Sequence, residues 1–265
     1  MVATHLLSWN VGKMSNGQPA SDELHRIVPL GLTLGEARAW YMNHVLMPRI
    51  RSGSVAIVAG LIILGSMLSP FGEQLEATLV TNLIVQHFFF LAAGVLFAYG
   101  IESSMLVASR LSSKASRAHV LMGRVNLAVN KYGLLTFLAA ASLIALWYMP
   151  AEFDAAIMNA HIHTEMQITM LFAGGLIFVG SRFLSKRMKL IAPIVAGKLM
   201  GLYGTLLLLT PLTIYAAYPI FEQAEAGTVM IYLMLGLDFT IVPIWLYGYF
   251  GKNTPAPTVV DLSQS

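Results

Sequence analysis

Seven histidines, fifteen methionines and no cysteine set the chemistry open to this 265-residue chain. Disulfides, thiolate metal sites and covalent c-type haem attachment all need cysteine and are excluded. Any metal must be held by His, Met, Asp or Glu. Imidazole suits copper, zinc and haem iron, whereas thioether sulfur selects Cu(I). His161-Ile-His163 lies among Met149, Met158, Met166 and Met170, with Glu165 and Gln167 close behind, while His87 and Asp238 stand alone in apolar text. One helical turn takes about four residues, so His161 shares a face with Glu165 and His163 with Gln167. His161 and His163 themselves point about 200° apart and cannot chelate one ion from within a helix. Three uses of these residues follow. His87, His163, Gln167 and Asp238, with Met149, Met166 or Met170, make a transient Cu(I) site; His87 with His161 or His163 makes an axial pair for a b-type haem. In the third, the methionines fill gaps in an apolar core and no cofactor is bound.

The elements that must position these groups are membrane helices. Of all residues 57% are hydrophobic and only 11% charged, with a mean hydropathy of +0.70. Soluble domains carry about 25% charged residues. Crossing about 30 Å of hydrocarbon takes roughly 20 helical residues, and six apolar runs are about that long or longer, at 53–70, 78–101, 132–150, 157–180, 190–217 and 228–250. None alternates with the two-residue period of a barrel strand, so an all-α polytopic bundle of six spans is expected. The basic residues segregate: Lys13, Arg26, Arg38, Arg49 and Arg51 precede the first run, Arg110 to Lys131 join the second to the third, Arg182 to Lys189 join the fourth to the fifth, and Lys252 follows the sixth. The other loops hold Glu73, Glu76, Glu152, Asp154, Glu222 and Glu225 and no Lys or Arg. That bias predicts a cell-membrane protein with both termini cytoplasmic. The net charge of +3 is thereby a matter of topology, and nucleic acid is not implied.

Three segments are expected: an arm over 1–52, a membrane domain over 53–250 and a flexible tail over 251–265, rich in Thr, Pro and Ser. In the arm, Thr33 and Glu36 form a capping-box pattern, and Leu34, Ala37, Tyr41 and Val45 recur at helical spacing until Pro48 stops the run. This predicts an interfacial helix with Trp40 and Tyr41 at headgroup level, or one packed onto another subunit.

Displaced by 80 residues, the chain matches itself: Pro70 falls on Pro150, Leu91 on Leu171, Ala93-Gly94 on Ala173-Gly174 and Gly100 on Gly180, with Gln167 taking the place of His87. A weaker third copy begins at Pro219, which predicts three helical hairpins. At about 1.5 Å of rise per residue, His87 sits about 15 Å from the nearer end of its span and Asp238 at similar depth. Lys198 lies about 12 Å inside the fifth span, too deep for easy snorkelling, and an ion pair with Asp238 is the simplest accommodation.

Four stretches resemble the CtaG family, membrane assembly factors associated with caa-type cytochrome c oxidase, and related archaeal membrane proteins. Leu83-Ile-Val-Gln-His87 resembles that family's first paired-His site with Leu83 in place of its leading His; His163-Thr-Glu-Met-Gln167 resembles the second with Gln167 replacing a His. Trp147-Tyr148-Met149-Pro150 resembles its Trp-His motif with Tyr148 for His, and Asp238-Phe-Thr-Ile-Val-Pro-Ile-Trp245 resembles its late Asp motif without the Gly. The resemblance covers roughly residues 67–248 and implies a metal-handling chaperone that assists copper insertion or assembly of a respiratory oxidase. The alternatives are an accessory subunit of a respiratory or copper-oxygenase complex and a haem b electron-transfer subunit. No phosphate loop, nucleophile elbow or HExxH is present, so an enzyme is not the expectation. A transport path through Lys198, Asp238, His87 and Glu165 stays open.

Overall fold

The computed structural model describes residues 40–130 and 133–250, together with Met14, Ser15, Gln18, Pro19 and Glu36. Thr33, Leu34 and Ala37 of the expected interfacial helix and the tail 251–265 lie outside the described residues. The fold is an all-α bundle of membrane helices. Apart from them, Met14–Ser15 pairs antiparallel with Gln18–Pro19, Met14 opposite Pro19. Two compact units are present, Met1–Glu76 with Val85–Phe183 and Ala77–Ile84 with Leu184–Ser265.

The first unit is built of two hairpins. A π-helical turn, Met42–Leu46, runs directly into α1 (Met47–Met67), and Pro48 does not stop it. Proline inside a continuous helix removes one backbone donor and crowds the preceding turn, and the irregular π turn Met42–Leu46 lies at that place. Ser69 caps the short α2 (Pro70–Leu75), its hydroxyl accepting from Phe71 N. After the π turn Thr81–Gln86 comes α3 (His87–Leu111), and then α4 (Ser113–Val129). In the text α4 is marked only by a basic stretch, because it is too polar to register as a span. Next come α5 (Leu134–Trp147), α6 (Pro150–Met158) and α7 (Ala160–Phe183).

The run expected as a third span, 132–150, forms α5, which stops at Trp147 where the chain turns into α6. Between α5 and α6 the axis bends by 65°. The 14 residues of α5 cover about 21 Å, short of a bilayer core. Pro150 causes the break by holding Met149 extended, at φ −72° and ψ 128°. Among the described residues five helices can cross a membrane by length and composition, and a sixth crossing results if the bent pair counts as one.

The 80-residue repeat is visible as packing. A Cβ on Gly94 would lie 2.9 Å from the carbonyl carbon of Leu171 and nearer still to its oxygen; one on Gly174 would lie 2.9 Å from the carbonyl carbon of Leu91 and again nearer its oxygen. The equivalent residues of α3 and α7 thus meet each other, as at a two-fold axis, with bare glycine backbone against bare backbone. The outer contacts repeat too. Gly100 meets Ile57 and the Gly53 carbonyl, and Gly180 meets Phe137 and the Gly133 carbonyl, each residue 80 positions after its counterpart. At one end of the crossing Arg182 Nη1 donates to Glu102 Oε2 at 2.9 Å, again an equivalent pair.

The second unit holds α8 (Lys186–Leu209) and α9 (Ile220–Gly236), joined at Gly204 and Gly227 by the same device. The fifth span ends at Leu209 rather than 217, since Pro211 holds Thr210 extended. Buried Gln223 then closes the loop, its Oε1 accepting from Ile214 N at 2.7 Å and its Nε2 donating to Tyr215 O at 3.3 Å. Pro219 caps α9 from outside, whereas Pro70 and Pro150 stand in the first turn of their helices, so the third copy is only approximate. A π turn, Leu237–Ile241, leads into α10 (Val242–Phe250).

Candidate functional site

Glycine contact at Gly94 and Gly174 decides which side chains face the α3–α7 seam. Counting back by three or four and by seven residues, Leu91 and His87 share the face of Gly94, and Leu171 and Gln167 share that of Gly174. A second row, Gln86, Phe90 and Ala93 on one side and Met166, Met170 and Ala173 on the other, is wholly buried. Two turns from the crossing, about 10 Å, the helices have room for larger polar groups. The π turn that ends at Gln86 sets the register of this end of α3; such turns recur at functional positions.

His87 is 2% exposed, and its Nε2 lies 3.3 Å from Met166 Sδ. Its ring is held by Tyr148, tilted at 5.6 Å between centroids, and by Phe153, edge-on at 6.0 Å. The bend at Pro150 that shortens the third span delivers both rings, one from each side of the break. Met170 is buried one turn beyond Met166 on the same helix.

A harder cluster is formed by other residues of the same unit. Glu76, which caps the C-terminus of α2, accepts at Oε1 from Gln86 Nε2 and stands against His163 Nε2 through the same oxygen, each at 2.9 Å. Gln167 Nε2 lies 2.7 Å from that same ring nitrogen of His163. Gln86 is fully buried, and its Oε1 accepts no hydrogen bond among the described residues. A neutral carboxamide acceptor left unpaired in this way costs about 1–3 kcal/mol. His163 is mostly enclosed, with 15% of its side chain exposed.

The remaining candidates are placed as follows. Asn159 caps α7, its Oδ1 accepting from His161 N at 2.9 Å, which puts His161 in the first turn. There His161 Nδ1 stands 3.2 Å from Glu165 Oε1 on an exposed face. Met149 is 56% exposed at the α5–α6 bend and is not brought to His87 as a buried donor. In the second unit Asp238 lies in the π turn after α9 and accepts from Lys198 Nζ, the ion pair expected from burial cost. His87 Nε2 faces Met166, His163 Nε2 faces Glu76 and Gln167, and His161 Nδ1 faces Glu165, so none of these three nitrogens is directed at a second imidazole.

The chain matches no family model, no curated protein and no solved structure. Its chemistry is therefore read from these side chains. Among the described residues no three of His, Asp and Glu stand close enough together to hold a metal ion. Any cation taken up here draws on thioether sulfur or amide oxygen as well. Sequence reasoning names His87, Met166, Met170, His163 and Gln167. It passes over Gln86 and reads Glu76 only as an acidic loop residue, although Gln86 sits at the repeat equivalent of Met166 and so carries a signal.

Proposed function

We propose that this protein handles Cu(I) in the cell membrane, with both termini cytoplasmic, as a chaperone for copper insertion into or assembly of a respiratory oxidase. The observation that carries the reading is the buried His87 Nε2–Met166 Sδ pair, 3.3 Å apart. Imidazole with thioether is a soft donor set that favours Cu(I) over Zn²⁺ or Mg²⁺. Two donors with Met170 in reserve one turn away hold an ion without enclosing it in a full cage, which suits cargo that must be passed on. The aromatic wall of Tyr148 and Phe153 keeps water from the imidazole and fixes its ring plane. The resemblance to the oxidase assembly factors, at Leu83–His87 and His163–Gln167, supports the same assignment.

Titrating the detergent-purified full chain with Cu(I) under anaerobic competition with a chromogenic chelator tests this. One equivalent is expected to bind, with at least tenfold weaker binding in His87→Ala. Absence of stoichiometric uptake removes the copper reading and leaves the accessory-subunit alternative, which native co-purification with a larger complex addresses. A Soret band in reduced protein would instead establish haem.

A further inference from the structure

We infer that Glu76, His163 and the side-chain oxygens of Gln86 and Gln167 form a second cation site, for a divalent ion of borderline hardness such as Zn²⁺. Three features of the cluster point the same way. The first is an oversubscribed ring nitrogen. His163 Nε2 carries either one proton or one lone pair, yet a carboxylate oxygen stands 2.9 Å from it and an amide nitrogen 2.7 Å from it. Protonated, it serves Glu76 and repels the Gln167 N–H; deprotonated, it serves Gln167 and leaves the carboxylate facing a lone pair. The second is the buried oxygen of Gln86, which accepts nothing among the described residues although its own amide nitrogen is bonded to Glu76. Buried acceptors without partners in native proteins call for a water or an ion. The third is convergence: the four side chains come from three elements, the end of α2, the π turn before α3, and α7.

A cation meets the first two demands and draws on the third feature. It takes the place of the disputed proton between His163 Nε2 and Glu76 Oε1, off the line that joins the two atoms. A half-turn of the Gln167 amide presents its oxygen to the ion, and a smaller rotation of the Gln86 side chain brings its unpartnered oxygen, rather than its nitrogen, to the same point. Tetrahedral ligands about 2.0–2.2 Å from Zn²⁺ stand roughly 3.3–3.5 Å apart. The observed 2.9 Å separation of nitrogen and carboxylate oxygen needs only about half an ångström of opening. One imidazole, one carboxylate and two amide oxygens suit zinc or a neighbouring first-row divalent ion and lack the thioether that Cu(I) selects. The inference is therefore independent of the copper reading, and each can fail alone.

The test is Zn²⁺ titration by equilibrium dialysis on tag-free full chain in detergent, in a His161→Ala background that removes the exposed His161–Glu165 pair. One equivalent is expected to bind saturably. Glu76→Gln and His163→Ala should each weaken it at least tenfold, while Met166→Leu leaves it within twofold. If Glu76→Gln or His163→Ala unfolds the protein, Gln86→Leu, which removes one proposed oxygen at similar volume, should still weaken binding several-fold. The proposal is overturned if the His161→Ala protein shows no saturable uptake, or if folded Glu76→Gln and Gln86→Leu variants bind as the parent does.

Discussion

The two halves of the first unit agree where backbones touch and differ where side chains reach. Leu91 to Gly94 and Leu171 to Gly174 are the same text, L-x-A-G, and they make the same contact reciprocally, each glycine against the other half's leucine carbonyl. Two turns away, Gln86 and His87 occupy the positions that Met166 and Gln167 hold in the other half, and neither residue is shared. A close helix crossing in a bilayer tolerates only glycine at its centre, so duplication is held there by sterics. Beyond the crossing the helices have room, and the two copies are free to carry complementary groups. A soft pair and a hard cluster result, from one repeated set of positions.

The largest effect should come from breaking the shared part. Gly94→Val or Gly174→Val starts from a Cβ 2.9 Å from a backbone carbonyl carbon, and nearer its oxygen, before any further methyl is placed. Overpacking usually costs about 1–3 kcal/mol, and backbone contact on both sides cannot relax by rotamer change, so a loss of about 3 kcal/mol or more is expected. Heat-induced loss of the monodisperse peak in detergent would read it. Gly65→Ala in α1, where nothing lies within 4 Å, is the control and should hold or slightly raise stability. Equal behaviour of Gly94→Val and Gly65→Ala would mean the crossing is not the anchor of the fold.

The next test sharpens the divergent part. Met166→Gln gives the second copy the residue that the first copy has at Gln86. The side chains are similar in length, but thioether becomes amide, and Cu(I) affinity should fall at least tenfold in the same chelator competition. Zn²⁺ uptake at the Glu76 cluster should not change. Retention of Cu(I) would reduce Met166 to packing against His87.

How much of this is legible in the text follows the same division. The repeat is readable because glycine at a crossing leaves a fixed spacing, and Lys198 with Asp238 because two charges at matched depth need each other. His161 with Glu165 and His163 with Gln167 follow from one helical turn. Glu76 is not legible as a partner, because it reaches His163 across 87 residues and Gln86 through an irregular turn that no periodicity announces. Likewise the break at Pro150 is readable as the end of an apolar run, but the helix α6 that it opens is not, since hydropathy measures solvent preference and not backbone direction. That break is also what exposes Met149 and brings Tyr148 and Phe153 to His87.

The smallest effect is the most discriminating for symmetry. Glu102 and Arg182 are 80 residues apart, and they bond to each other at the far end of the crossing. About a third of each side chain is exposed, so the pair is worth only about 0.2–1 kcal/mol. Glu102→Arg alone sets two cations together and should lose about that much; Arg182→Glu should do the same with two anions. Around a true two-fold the exchange of the two residues returns each side chain to the environment its partner left, so Glu102→Arg with Arg182→Glu should restore the parent midpoint to within a few tenths of a kcal/mol. Where the surroundings differ in sequence, the arginine introduced by Glu102→Arg loses the stacking that Arg182 has at 5.9 Å over the Phe178 ring, because the matching position is Ala98. The double variant then stays below the parent by up to about 1 kcal/mol, the worth of an exposed cation–π contact. Adding Ala98→Phe to the double variant separates these outcomes: recovery on that addition assigns the shortfall to the missing ring and keeps the axis, whereas no recovery confines the symmetry to the glycines.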